Sequence, residues 1–336
     1  MESMEQQESG SRVLITGAGG MIGQKLAISL ANSGRIGSRP ITHMTLADLS
    51  APPGPVDSSV DSIESVAVDI ARPGTAEALV ASRPDVIFHL AAVVSGEAEL
   101  EFEKGYAVNL DASRCLLDAV RSEGAEQAYQ PRFVYASSNA VFGSPFPDRI
   151  GDDFRATPAT SYGSQKAMVE LLINDYSRRG ILDGISLRLP AICIRPGSPN
   201  KAASGFFSDI LREPLAGLPA RLPVSESVRH TFASPRAAVG FFEHAAAMNT
   251  APLGVRRALN MPGLSVTVAE QIVALRRFAG QDAVDLIRSE PDPLITEIVD
   301  NWPHEFDPQR AKKFGFVADS SFDDIIRAHL EDEHGA

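Results

Sequence analysis

The 336-residue sequence predicts an α/β fold: a doubly wound parallel sheet followed by a smaller C-terminal α/β lobe. Three observations carry this. Short, nearly continuous apolar runs such as RVLIT (12–16) and DVIFHLAA (85–92) alternate with helical stretches up to about residue 195. That alternation belongs to parallel strands joined by right-handed crossover helices and buried on both faces. The first run breaks at once into a glycine-rich turn, TGAGGMIG, and then into a helix. After residue 195, Pro- and Gly-rich stretches such as RPGSPNKAASGFF and SEPDPLITEIVDNWPHEFDP separate isolated helices, and no strand–helix repeat continues.

Taken in order, residues 1–11 form a polar, acidic lead-in, expected to be disordered, without the basic start of a signal peptide. RVLIT is the first strand and QKLAISLANSG the first helix. ITHMTLAD is a strand ending at Asp48, and SIESVAVDI a strand ending at Asp69. The helix TAEALVAS follows, then the buried strand DVIFHLAA, the helix LDASRCLLDAVRS, and the buried strand PRFVYASS. SYGSQKAMVELLINDY (161–176) keeps Tyr162, Lys166, Val169, Ile173 and Tyr176 on one face of a 3.6-residue helix. GISLRLPAICI is a further strand. Residues 12–194 thus read as one domain. Residues 195–336 read mainly as a second lobe over the sheet's carboxyl edge, with the helices TVAEQIVALRRFAG and SSFDDIIRAHLEDE, and with elements such as RRALNMP returning to the first domain.

A net charge of −12 with no Lys/Arg block argues against nucleic acid or an anionic membrane as partner. No apolar run approaches the roughly 18 residues of a membrane span. Cys115 and Cys193 give neither a disulfide framework nor metal-ligand spacing. A reducing cytoplasm fits, and no metal is expected.

The turn places Gly17, Gly20 and Gly23 at three-residue steps directly after the first strand. Glycines there permit the tight turn and close backbone approach. The amides that open the next helix, at Met21 and Ile22, can hold a pyrophosphate. Asp48, at the end of the second long strand, suits a ribose diol and repels a 2′-phosphate, which predicts NAD over NADP; its plain alternative is a turn cap. Asp69 and Ile70 fall where the adenine ring would lie.

At the other end of the sheet, Ser138 closes a strand and Tyr162 and Lys166 open a helix 24 residues later. Both should emerge at the carboxyl edge. Hydroxyl, phenol and ammonium together make a proton-transfer set: Lys166 and the positive ring of a bound nicotinamide would lower the Tyr162 pKa, the phenolate would take a proton from a substrate alcohol, and Ser138 would hold its oxygen. Elsewhere a Tyr-x-x-x-Lys spacing or a Ser pair after a strand is an ordinary surface or capping feature, so the weight lies in the combination.

TGAGGMIG, Asp48, VDI, HLAA, the helix bearing Asn109, SSNAVFG and YGSQK, in this order, resemble the extended short-chain dehydrogenases/reductases, an NAD-dependent epimerase/dehydratase superfamily with a Rossmann-type sheet. The likeness extends to the tail QRAKKFGFVADSSFDDII. It implies catalytic roles for Ser138, Tyr162 and Lys166. It further implies that Leu90, Ala91, Ala92, Asn109, Tyr162, Lys166 and Pro190 line the cofactor, and that a dimer forms through the helices near 111–122 and 162–178. HLAAVVSGEAE, LRLPAICIRPGSPNKAASGFF, LREPLAG and RHTFASPRAAVGF resemble a branch of the family that oxidises sugar acids. They imply NAD-dependent oxidation of the C2 hydroxyl of a four-carbon acid.

Two other readings compete: a nucleotide-sugar epimerase or dehydratase, and a dinucleotide-sensing regulator without turnover. Dehydratases of the family carry an Asp-Glu pair where Asn139-Ala140 stands, and epimerases an Asn where Ala191 stands. A regulator has no need of the intact Ser138, Tyr162 and Lys166. A small carboxylate substrate needs a fixed cation, and Arg195, Lys201 and Arg229 are the candidates. Ser95 and Asn200 could meet substrate hydroxyls. His89, within a buried strand, reads as a satisfied core histidine, and His230 need not be catalytic.

Overall fold

The computed structural model describes residues 10–125, 127–197 and 203–334. The residues that make up most of the polar lead-in, and Asn200 and Lys201, lie outside them. Strand β1 (Ser11–Thr16) already includes Ser11, buried at 1% exposure and so part of the sheet rather than of the lead-in. Helix α1 (Met21–Ser33) follows the glycine turn and ends on Gly34 in the left-handed conformation. A short hairpin strand, β2 (Arg35–Ile36), precedes β3 (Arg39–Asp48). Strand β4 (Ser62–Ala67) stops two residues short of Asp69, which instead closes a turn by accepting the Ala71 amide on Oδ1 at 3.0 Å.

Helix α2 (Thr75–Val80) leads to β5 (Val86–His89). Then come α3 (Ser95–Leu100), α4 (Phe102–Gly105), a π-helical turn at Tyr106–Asp111, and α5 (Ala112–Glu123). Strand β6 (Arg132–Ser138) runs toward the short β7 (Ile150–Gly151) and the long α6 (Ser161–Arg178). The expected strand 184–194 is two strands, β8 (Asp183–Leu189) and β9 (Ala191–Ile192), in different sheets. Pro190, which has no N–H for a ladder, divides them.

After α7 (Phe206–Leu215) and β10 (Ala220–Leu222), β11 (Arg229–Ala233) pairs with β9, and α8 (Pro235–Ala247) returns to the main sheet ahead of β12 (Ala258–Asn260). The rest is β13 (Leu264–Thr267), α9 (Val268–Val284), β14 (Ile287–Ser289), α10 (Pro293–Asp300), β15 (Phe306–Asp307), α11 (Gln309–Lys313) and α12 (Phe322–His334). Helix α9 opens with a capping box between Thr267 and Glu270 and breaks at Gly280, whose φ is 77°.

The main sheet runs β12-β8-β6-β5-β1-β3-β2, with β4 also on β3, and every pairing but the β2 hairpin is parallel. The doubly wound fold expected from the sequence is present. One face carries the core of Val13, Ile15, Phe88, Leu26 and Phe242 under α1 and α8. The other carries Leu14, Ile87, Phe133, Leu117 and Val169 under α2, α5 and α6. A separate core of Phe207, Phe232, Leu275 and Ile326 forms the lobe. Strand order reverses beside β1, with β3 on one side and β5 on the other, so a crevice opens at the carboxyl end of β1, the place where open α/β sheets bind ligands.

Candidate active site

The glycine turn is built for close approach. Gly17 has φ 74°, and a Cβ on it would lie 2.5 Å from the Ala91 nitrogen. A Cβ on Gly23 would lie 2.2 Å from the Gly17 carbonyl oxygen. Helix α1 starts at Met21 with no side-chain cap and no acidic residue in its first turn, so its amides remain available to an anion. Asp48 Oδ2 accepts the Gly19 amide at 2.8 Å and Oδ1 the Leu49 amide at 2.7 Å. It caps the strand end and also places a carboxylate beside the turn. Leu90 is tied to β1, its amide donating to the Thr16 carbonyl at 3.0 Å, which brings Ala91 and Ala92 to the same crevice. These residues fit a dinucleotide.

Asn109 sits in the π-helical turn, 1% exposed. Its Oδ1 accepts the Val93 amide at 2.9 Å, and its Nδ2 donates to the Val93 carbonyl at 3.2 Å and to Gln165 Oε1 at 2.8 Å. All its polar atoms thus pin the segment after β5 to helix α6. Ser95 opens α3 just beyond this segment, and Pro190 lies at the β8–β9 break.

Helix α6 starts where two caps converge. Thr160 accepts the Gly163 amide at 3.0 Å, and Glu99 accepts the Ser161 amide at 2.6 Å. Gly163 lets the helix press on the turn after β6, because a Cβ there would lie 2.0 Å from the Ala140 carbonyl oxygen. That contact brings Tyr162 near Ser138, whose hydroxyl is close enough to act on the phenol's pKa. Ser138 Oγ accepts the Ala140 amide at 3.1 Å. Burial pushes the Tyr162 phenol above its ordinary value of 10.0; the Ser138 hydroxyl and the Arg195 guanidinium oppose this. In the protein alone, desolvation outweighs the nearby positive charge.

Lys166, one turn on, is 2% exposed. Its Nζ donates to the Ala136 carbonyl at 2.8 Å and lies 5.5 Å from the centre of the Tyr162 ring. Burial lowers its pKa to about 7, and Glu170 works against that. Lys166 is thus poised between charged and neutral forms near neutral pH.

Sequence reasoning passed over Glu170, although its spacing of four from Lys166 was the available signal. Glu170 accepts Ser137 Oγ at 2.5 Å, and Arg188 pairs with it through Nη2 at 2.6 Å and Nε at 2.9 Å. Arg188 Nη1 continues to Asn260 Oδ1 at 3.3 Å. One buried ion pair therefore ties the carboxyl ends of β6, β8 and β12 to helix α6.

Of the cation candidates, Arg195 faces Tyr162 closely enough that each shifts the other's pKa. Its Nε donates to the Ile192 carbonyl at 3.1 Å and its Nη2 to Ser204 Oγ at 3.0 Å. Arg229 is engaged elsewhere: Nη1 donates to the Ser265 carbonyl at 2.8 Å and Nη2 pairs with Glu270 at 3.4 Å, on the half-exposed flank of the lobe. It is not among the charges that act on Tyr162. His89 is fully buried between Thr16 Oγ1 at 2.7 Å and Ser113 Oγ at 2.8 Å, so both ring nitrogens are satisfied, as expected of a core histidine. His230 stacks on Phe207 at 5.5 Å inside the lobe. The described residues hold no cluster of His, Cys, Asp and Glu suited to a metal, and none of their helices is long and apolar enough to cross a membrane.

The profile of a family described as the NAD dependent epimerase/dehydratase family matches residues 13–232. D-erythronate dehydrogenase of Cupriavidus necator is 44% identical over 324 residues, 95% of this chain and 98% of that one. The Haemophilus influenzae protein of the same name is 40% identical over 320 residues, 95% and 99%. A crystal structure from Agrobacterium tumefaciens, named a nucleoside-diphosphate-sugar epimerase, is 53% identical, covers 100% of this chain and 98% of its own, and superposes with a TM-score of 0.95.

Proposed function

The chain belongs to the NAD dependent epimerase/dehydratase family and is an NAD-dependent dehydrogenase, and we propose that it oxidises the C2 hydroxyl of a short sugar acid, D-erythronate, to the 2-oxo acid. The observation that carries this reading is the placement of Arg195: a largely buried guanidinium near enough to the candidate base Tyr162 for each to shift the other's pKa. A buried cation next to the reacting alcohol suits a substrate whose carboxylate adjoins the carbon being oxidised. The two D-erythronate dehydrogenases support the same substrate class.

In this account Arg195 receives the carboxylate, and Ser138 donates a hydrogen bond to the C2 oxygen. Tyr162, as phenolate, takes the hydroxyl proton. Lys166 in its ammonium form favours that phenolate and offsets the desolvation that otherwise keeps the phenol protonated. Bound NAD supplies the hydride acceptor. Asp48 orients toward the ribose and disfavours a 2′-phosphate, and the amides opening α1 take the pyrophosphate.

The name of the Agrobacterium structure favours a second reading, epimerisation of a nucleotide sugar. Two positions speak against it: Asn139-Ala140 supplies no acid pair, and Ala191 supplies no side-chain amide for a diphosphate sugar. A panel of four- and five-carbon aldonates and UDP-sugars, followed by absorbance of the reduced nicotinamide and by sugar analysis, separates the two. Reduction of NAD with D-erythronate is expected. Conversion of UDP-sugars with no aldonate turnover would replace the dehydrogenase reading with the epimerase one.

A further inference from the structure

A row of side chains crosses the main sheet behind the candidate lysine. Thr16, His89 and Tyr135 are direct cross-strand partners on β1, β5 and β6. The rings of His89 and Tyr135 stack at 5.6 Å with 26° between their planes. Tyr135 is 1% exposed, and its hydroxyl has no hydrogen-bond partner among the described residues, so the hydroxyl does not explain the residue. Its ring face does: Lys166 Nζ lies 4.8 Å from the ring centre while donating to the carbonyl of the next residue, Ala136. An ammonium within about 6 Å of an aromatic face is attracted by the ring quadrupole, most strongly where water is excluded.

We propose that Tyr135 is a positioning residue for Lys166: its ring face, backed by the imidazole of His89, holds the ammonium in its charged form against the Ala136 carbonyl. The charged and titratable groups around Lys166 divide by element. Tyr162 and Glu170 come from α6, Tyr135 from β6, His89 from β5, Arg188 from β8 through its pair with Glu170, and Arg195 from beyond β9. Glu170 is partly neutralised by Arg188, which leaves the ring face as a second stabiliser of the ammonium. His89 stays uncharged because it is buried and because Lys166 repels its proton, so the stack adds no competing positive charge.

The proposal rests on Tyr162 and Lys166 being the proton-transfer pair, but it is tested without turnover. The chain has six lysines, so their side-chain 13Cε signals can be titrated in the ligand-free protein, with Lys166→Arg identifying the one of interest. Position 135 is changed to Phe and then to ring-fluorinated phenylalanines of rising fluorine content, which keep the shape and progressively remove the negative face. Tyr135→Phe is expected to leave the Lys166 midpoint in place, and the pentafluoro ring to lower it by about one pH unit. The partly fluorinated rings should fall between, so the trend survives if the most fluorinated variant does not fold. In active preparations the acid limb of kcat/KM should move to higher pH by a similar amount, because a less charged Lys166 supports the phenolate less. A midpoint that is the same throughout the fluorinated series overturns the proposal and shows Tyr135 to be packing alone. The aldonate panel is unaffected by that result, so the two failures are distinguishable.

Discussion

At the scale of single residues, the proposed substrate site depends on one charge placed in a dry setting. Arg195 is mostly buried, held by the Ile192 carbonyl and Ser204, and desolvation lowers its pKa. A guanidinium held this way has little to gain from a neutral ligand and much from a carboxylate. Arg195→Ala should therefore lower kcat/KM for D-erythronate by about 10²- to 10³-fold while leaving NAD affinity unchanged. A neutral ester of the same acid should lose far less between the two enzymes. Equal losses for acid and ester would show that Arg195 shapes the pocket without reading the charge. Sequence alone could name Arg195 but could not rank it above Arg229. The difference lies in tertiary partners: Glu270 and the Ser265 carbonyl occupy Arg229, and both come from a segment more than 30 residues away.

At the scale of elements, helix α6 does more than present Tyr162 and Lys166. Glu170 on the same helix joins β6 through Ser137 and β8 through Arg188, with side chains only 5% and 13% exposed. Removing one member of a buried pair leaves an uncompensated charge. Glu170→Ala should thus cost about 3 to 5 kcal/mol in chemical denaturation, whereas Glu170→Met combined with Arg188→Met should recover a substantial part. A double variant no more stable than the single one would mean the pair is not acting as a unit.

Strand and helix order were legible here because periodicity marks burial. Element ends were less so. The run 184–194 is apolar throughout, and only Pro190 hints that its last residues leave the main sheet for the lobe. The π-helical turn at Tyr106–Asp111 had no local signature, and the partners of its Asn109, Val93 and Gln165, are 16 and 56 positions away.

At the scale of the whole molecule, two buried histidines contribute to the loss of stability in acid. Burial lowers His89 to about 3 and His230 to about 4, against an ordinary value of 6.5. Below about pH 6.5 the unfolded chain binds protons that the folded chain refuses. Stability is therefore fully present above that pH and falls as pH drops toward the folded values. Two such groups imply a slope of about 2 to 3 kcal/mol per pH unit between roughly pH 6 and pH 5. Denaturation midpoints across that range should show it, and His89→Gln should reduce the slope by about one proton. A flat profile would mean the imidazoles titrate normally in the folded state.

The lobe is also joined to the first domain across the chain ends. Helix α12 contributes Phe322, Ile325 and Ile326 to the lobe core, and its end pairs Asp332 with Lys25 of α1 at 3.0 Å and Glu331 with Arg236 of α8 at 2.6 Å. No sequence pattern announces contacts between residues that lie 307 and 95 positions apart.

In the proposed reaction, hydride leaves C2 of a sugar acid held by Arg195 and deprotonated by Tyr162. The most direct measurement supplies D-erythronate deuterated at C2 and NAD, then weighs the reduced nicotinamide. One deuterium in each reduced ring is the predicted result. Reduced nicotinamide free of deuterium, or none formed at all, would contradict the account.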